Sequence, residues 1–174
     1  MQIDNSIKSK IREIPDWPKK GISFKDITPL LQNAICFQNV IDELAKKFKD
    51  KKIDKIVGID ARGFLLASAV AYKLGAGVAI VRKKGKLPYQ CIMQEYDLEY
   101  GTNCIEMHKD AIAPAERVAI IDDVLATGGT AAACAKLVEQ LKGKIVGIAF
   151  LMDLSFLQGK KKLKKYKVYS LIKY

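Results

Sequence analysis

Much about this chain is fixed by what it does not contain. No apolar run reaches the ~18 residues of a membrane-spanning helix. Met1 to Lys10 carries no hydrophobic signal core. No membrane partner is expected, and the expected location is the cytoplasm. There is no Gly-x-x-x-x-Gly-Lys-Ser/Thr, which excludes a P-loop nucleotide hydrolase. The nearest approach to a dinucleotide fingerprint is Gly75-Ala76-Gly77-Val78-Ala79-Ile80. It lacks the third glycine and leads into a strand, where that motif should open a helix. Cysteine is sparse: Cys36, Cys91, Cys104 and Cys134 form no Cys-x-x-Cys pair, and His108 is the one histidine. Free thiols fit better than zinc ligands. His108 reads as a structural or surface histidine, and Trp17, the one tryptophan, as a packing residue. No internal repeat or low-complexity linker appears.

What is present describes one globular domain, residues 1–174. Hydrophobic residues make up 49% of the 174 and charged residues 28%, enough apolar material for a proper core. Lys and Arg exceed Asp and Glu by 30 − 19 = +11. Lys160, Lys161, Lys162, Lys164, Lys165 and Lys167 concentrate that excess near the C-terminus. A basic cluster raises the question of nucleic acid. No aromatic interleaving, RNP motif or helix-turn-helix pattern accompanies it, so a solvated lysine-rich loop is the reading. No nucleic-acid partner is expected, and a polyanionic substrate would gain from the steering.

Along the chain, apolar segments alternate with helical periods. Ile35 to Phe48 has apolar residues at helical spacing. Gly63 to Leu74 predicts a helix stopped by Gly75. Lys55 to Ile59, Gly77 to Val81, Val118 to Ile121 and Lys144 to Met152 predict strands. Such alternation implies right-handed crossovers and a Rossmann-like parallel sheet flanked by helices. Ligands on such sheets bind at the strands' C-terminal ends. Asp60-Ala61-Arg62, Arg82-Lys83-Lys84 and Asp122-Asp123 all fall there. Leu87 to Met107 breaks the rhythm and predicts a β-hairpin or a long loop over the site, a lid. Lys167 to Ile172 predicts a late strand, in a small cap with the N-terminal arm.

The most informative stretch runs from Val118 to Thr130. An apolar strand ends on Asp122 and Asp123, and Val124-Leu125-Ala126-Thr127-Gly128-Gly129-Thr130 leads into an alanine-rich helix from Ala131 to Leu141. A small-residue loop before a helix binds phosphate through converging N–H groups and the helix dipole. Paired carboxylates would repel phosphate, so they should face hydroxyls or a hydrated cation. A ribose 5-phosphate fits both demands.

That stretch resembles the signature of the type I phosphoribosyltransferases, which use 5-phosphoribosyl-1-diphosphate (PRPP). Pro18 to Leu31 resembles the base-binding segment of the adenine phosphoribosyltransferases, and Gly58 to Phe64, Val81 to Pro88 and Leu98-Glu99-Tyr100-Gly101 are similar to that family's other blocks in the same order. The resemblance runs from about Ile14 to Leu171. It implies the type I fold with a base-binding hood over residues 1–34 and a lid over 87–107. It implies a purine-salvage reaction in which adenine and PRPP give AMP and pyrophosphate, with Mg²⁺ as cofactor and a homodimer with composite sites. The family's acidic pair, here Asp122 and Asp123, contacts the ribose hydroxyls. Ala126, Thr127, Gly128, Gly129 and Thr130 hold the 5-phosphate. The implied metal is held mainly by substrate and water, near Asp122 and Asp123.

The chemistry assigns the remaining roles. Pyrophosphate departs with several negative charges, so cations and N–H donors are needed. Arg62, in the turn Asp60-Ala61-Arg62, comes first, followed by Arg82, Lys83 and Lys86; the family carries a cis peptide in that turn. A planar purine suits an aromatic face at Phe24, with Val124 or Leu125 opposite. The family reads the adenine edge through the backbone at Lys25, where arginine is commoner. Adenine sheds a proton as N9 attacks; Glu99 would accept it, with Tyr100 shielding the site. Two other readings stand beside this one. One keeps PRPP but takes hypoxanthine, guanine or xanthine. The other is a non-catalytic nucleotide sensor or RNA-binding regulator, supported by the +11 charge.

Overall fold

The structure, a computed structural model, describes residues 2–97 and 102–174. A seven-stranded sheet organises it. Its parallel strands are β3 (Lys55–Ile59), β4 (Gly77–Lys83), β7 (Arg117–Leu125), β8 (Lys144–Asp153) and β9 (Val168–Lys173). A hairpin of β5 (Cys91–Asp97) and β6 (Thr102–His108) adds on antiparallel through β4, giving the order β5-β6-β4-β3-β7-β8-β9. Within the Leu87 to Met107 segment the described strands are therefore an antiparallel pair continuous with the sheet.

Helices cover both faces, as a parallel sheet requires. Helix α3 (Ala34–Lys46) starts where the Asn33 side chain accepts a hydrogen bond from Cys36 N at 2.9 Å, and α4 (Arg62–Leu74) ends on Gly75 in the left-handed conformation. With α1 (Gln2–Lys8) they bury one core, containing Val40, Leu44, Phe48, Leu66 and Val70. Helix α5 (Gly129–Gln140) buries the other, with Cys134, Leu137, Phe150 and Leu163. Each strand between the helices feeds both cores by alternation: Ala119 and Ile121 go to the first, Val118 and Ile120 to the second.

Two expectations are corrected. The strand through Val118 does not stop before the acidic pair. It runs to Leu125, because β8 keeps pairing with it as far as Leu125 opposite Asp153. The late strand is not part of the cap. It pairs with β8 as the seventh strand of the main sheet, since Val168 to Lys173 matches Ile148 to Asp153 residue for residue. The cap is a smaller two-stranded sheet of β1 (Arg12–Ile14) and β2 (Phe24–Asp26), followed by the short helix α2 (Thr28–Gln32). Among the described residues no helix is long and apolar enough to cross a membrane.

Candidate active site

Three strand ends build the site. Asp60, Ala61 and Arg62 follow β3, and the Asp60–Ala61 peptide is cis. Lys83 closes β4, and Asp122 and Asp123 sit near the C-terminal end of β7. These residues line one cleft of about 220 Å³ together with Tyr96, Ile105 and Thr130. A second, smaller hollow shares Asp122 and Thr130 with it and is lined by residues 124–131.

Arg62 is the hub. Its Nη2 lies 2.7 Å from Asp123 Oδ2, its Nη1 donates to Lys25 O at 3.2 Å, and its guanidinium carbon stands 4.8 Å over the Phe24 ring. One cation therefore joins the cap, the acidic pair and the cleft. Asp60 instead accepts from Arg82 Nε at 3.2 Å. Arg82 in turn donates from Nη1 to Lys86 O at 3.1 Å.

The acidic pair is electrostatically unusual. Part of Asp122 reaches the cleft, but its carboxyl is enclosed by protein. Burial pushes it well above the ordinary carboxylate range, and the neighbouring Asp123 charge pushes it further. Burial also raises Asp123, against the opposing pull of Arg62. Asp122 Oδ1 accepts from Asp123 N at 2.9 Å. Of the two, Asp122 is pushed further toward the protonated form.

The loop after β7 leaves the start of α5 open. Gly128 is left-handed at φ 77° and caps α5, and no side chain caps that helix end. The first N–H groups of a helix have no partner within it, so those of α5 remain available to an anion beside Thr127 and Thr130. On the cationic side, Glu106 fixes the loop carrying Lys86. It is buried and accepts from Lys86 N and Leu87 N at 2.8 Å each. Burial raises its carboxyl, but N–H groups of Gly85, Leu87 and Lys86 outweigh that and hold it below the ordinary range.

The sequence-predicted residues divide. Asp60, Ala61, Arg62, Lys83, Asp122, Asp123, Ala126, Thr127, Gly128, Gly129 and Thr130 come together in the two hollows. Phe24 and Lys25 join through Arg62, Arg82 through Asp60, and Lys86 through Arg82. Val124 packs against the first core and lines the loop hollow. Leu125 is corrected: it lines that hollow, yet only 1% of it is exposed, and its side chain belongs to the second core. The Lys25 side chain turns away too, to Glu13 at 2.5 Å and the Tyr174 ring at 4.5 Å, leaving its backbone toward the site. Glu99 and Tyr100 lie outside the described residues. Sequence reasoning gave Tyr96 no role of its own and missed Ile105 and Glu106. They arrive through hairpin pairing, Met93 opposite Glu106 and Gln94 opposite Ile105, and Thr102 to His108 shows no regular alternation that would signal it.

A glycine loop opening a helix, a largely enclosed acidic pair and flanking cations at one end of a parallel sheet point to a phosphoribosyl-transfer class of protein. Residues 26–173 match the phosphoribosyl transferase domain family. An adenine phosphoribosyltransferase of Trichlorobacter lovleyi is 55% identical over 168 residues, covering 97% of this chain and 98% of that one. The crystal structure of an adenine phosphoribosyltransferase from Thermoanaerobacter pseudethanolicus superposes with a TM-score of 0.95 at 54% identity, covering 98% of this chain and 99% of that one. The Saccharomyces cerevisiae enzyme, solved with adenine and D-2,5-dideoxy-2,5-imino-altritol 1,6-bisphosphate, gives 0.91 at 41% identity, covering 97% and 98%. The chain belongs to the adenine phosphoribosyltransferase family.

Proposed function

We propose that the protein transfers the 5-phosphoribosyl group of PRPP to N9 of adenine, releasing pyrophosphate and forming AMP. The carrying observation is the Arg62 hub, which ties the Phe24–Lys25 cap to Asp123 within the cleft. The bond from C1′ to the pyrophosphate oxygen breaks as the bond from C1′ to N9 forms. Thr127, Thr130 and the loop N–H groups hold the 5-phosphate, and Asp122 and Asp123 accept from the ribose hydroxyls. Arg62, Arg82, Lys83 and Lys86 meet the charge that builds on the leaving pyrophosphate. Phe24 and Val124 hold the purine, and the backbone at Lys25 reads its edge. Glu99 takes the proton that adenine's imidazole ring sheds as N9 attacks, behind Tyr100, within a lid over 87–107 that keeps water from the ribosyl cation. The reading places the reaction in the cytoplasm.

The donor set fits a loosely held cation. Among the described residues no three His, Cys, Asp or Glu side chains gather into a metal cage, and Asp123 already faces Arg62. Mg²⁺ would therefore be held chiefly by substrate oxygens and water, near Asp122 and Asp123. When bound, it supplies charge neutralisation for the diphosphate.

The test is turnover of PRPP with each purine base in turn and identification of the product nucleotide. Adenine is expected to give AMP with kcat/KM at least about 100-fold above hypoxanthine or guanine, because mismatched edge groups are left unpaired. Equal turnover of guanine would reject the adenine assignment.

The same reading includes a homodimer. Val78 and Ile80 of β4 alternate with the buried Ala79 and Val81, so they face the α3–α4 side, yet both are exposed. Leu65 and Tyr72 of α4 are exposed as well and line a broad groove with Phe37 and Phe64. An apolar face of this extent on a parallel sheet calls for a cover, and a second copy offers the same face. Leu65→Asp is expected to sediment as a monomer in analytical ultracentrifugation and to lose turnover about tenfold or more. A variant that stays dimeric would move the interface elsewhere.

A further inference from the structure

The phosphate loop rests on a second glycine turn. After β8, residues Ser155–Leu157 and Gly159–Leu163 form two 3₁₀ turns joined at Gln158, whose φ is 55°. A Cβ placed on Gly159 would stand 2.2 Å from Ala126 O, 2.9 Å from Gly128 N and 3.0 Å from Leu125 Cδ1. A Cβ on Gly128 would stand 2.4 Å from Gly159 O. The closest of these atoms are main chain, which cannot swing aside as a side-chain tip can. The two glycine segments are in backbone-to-backbone contact that only two bare Cα atoms permit.

Neither segment is free to retreat. Lys160 Nζ lies 2.9 Å from Asp153 Oδ2, and Asp153 is buried at the end of β8. Leu163 is buried in the second core. Lys165 and Tyr166 both reach Glu139 of α5, at 2.8 and 2.9 Å. Leu154 N donates to Leu125 O at 2.9 Å, and Ser155 N to Tyr174 O at 3.0 Å. The turn is thereby tied to the phosphate strand, the phosphate helix and the last strand at once. A tightly packed, multiply anchored floor transmits added volume to whatever lies above it. Above it lie Ala126 and Gly128, and beyond them the hollow where the helix N–H groups are available.

We propose that Gly159 is a positioning residue for phosphoribosyl transfer: its bare backbone sets the height of Ala126–Gly128, so that the loop N–H groups meet the 5-phosphate of PRPP and AMP. This inference rests on the phosphoribosyl reading of the site. Gly159 itself lines neither hollow. Its effect is specific to one end of the ligand, because the pyrophosphate cluster at Asp60–Arg62 and Lys83 is built on β3 and β4, away from this turn.

The experiment compares Gly159→Ala with Gly147→Ala. Gly147 is also crowded, with Tyr169 and Phe48 carbons 3.1 and 3.2 Å from an added Cβ, but it lies in β8 against the first core. Wild-type protein must first turn over PRPP and bind AMP; failure there sinks the functional reading and not this one. Gly159→Ala is then expected to raise the PRPP KM and the AMP Kd roughly tenfold or more, with the adenine KM and inhibition by pyrophosphate held within about twofold. Gly147→Ala is expected to lower Tm while leaving the PRPP KM within about twofold. A PRPP KM that stays unchanged in Gly159→Ala overturns the proposal. So does an equal loss of AMP and pyrophosphate, or an equal rise in Gly147→Ala. Should Gly159→Ala not fold, Lys160→Ala loosens the same turn without adding volume. It must then raise the AMP Kd about threefold, and no change in that constant overturns the proposal equally.

Discussion

Replacing Asp122 and Asp123 together by asparagine is expected to lower kcat/KM for PRPP about 1,000-fold, ~4 kcal/mol of transition-state stabilisation, without unfolding the protein. Asp122 and Asp123 line the cleft between the loop of residues 126–130 and Arg62. A carboxylate accepts two hydroxyls where an amide accepts weakly with one oxygen. The stability side runs the other way. Asp122 is raised by burial and by its neighbour. A carboxyl with a raised folded-state pKa contributes stability at low pH that is lost as pH rises through that folded value. Asparagine has no proton to lose, and its oxygen can still accept from the 123 N–H as Asp122 Oδ1 does. The double variant should therefore match or exceed the wild-type Tm, with the gap widening as pH climbs above the ordinary carboxylate range. Thermal melts of both proteins across that range, beside PRPP kinetics, check the two halves separately. Unchanged kinetics would remove the pair from the site.

The second large effect is expected at Arg62. Arg62→Ala should lower kcat/KM roughly 1,000-fold or more, comparable with deleting a main electrostatic donor at a leaving group. It should also cost about 1–2 kcal/mol of stability, because Asp123 stays largely buried without its cation; the figure is below that of a fully buried pair since Arg62 is one-third exposed. Arg62→Lys is the sharper variant. A lysine keeps the charge but is a point donor, whereas Arg62 spreads one plane over Phe24, Lys25 O and Asp123 Oδ2. Lysine should recover less than about tenfold of the loss in steady-state kinetics. Full recovery would mean that charge alone, and not the planar hub, serves the reaction.

The chain made its central layers legible. Lys55 to Ile59 and Gly63 to Leu74 stand almost where periodicity puts them, because short apolar runs between helical periods have few other ways to bury. The end of β7 was not legible. Asp122 and Asp123 look like a loop on composition, and only pairing with β8 keeps them extended. The same holds for β9: its lysine-flanked alternation signals a strand but not which sheet accepts it. Within the site, the residue types that carry charge were readable from motifs, while their partners were not. Asp60 pairs with Arg82 and Arg62 with Asp123 across separate strands. Such crossings are set by sheet order, which a linear string does not display. The inward turn of Leu125 and the outward turn of the Lys25 side chain were hidden for the same reason.

Glu106 leaves one last consequence. It grips residues 85–87 through their amide groups, and apart from Gly85, whose φ of 80° favours glycine, the grip does not depend on which side chains those residues carry. The ribbon bearing Lys84 and Lys86 is thus moulded from underneath, and its positive tips are interchangeable parts. Anyone wishing to retune how strongly the mouth of this enzyme draws in polyphosphates can rewrite those letters while the mould keeps its shape.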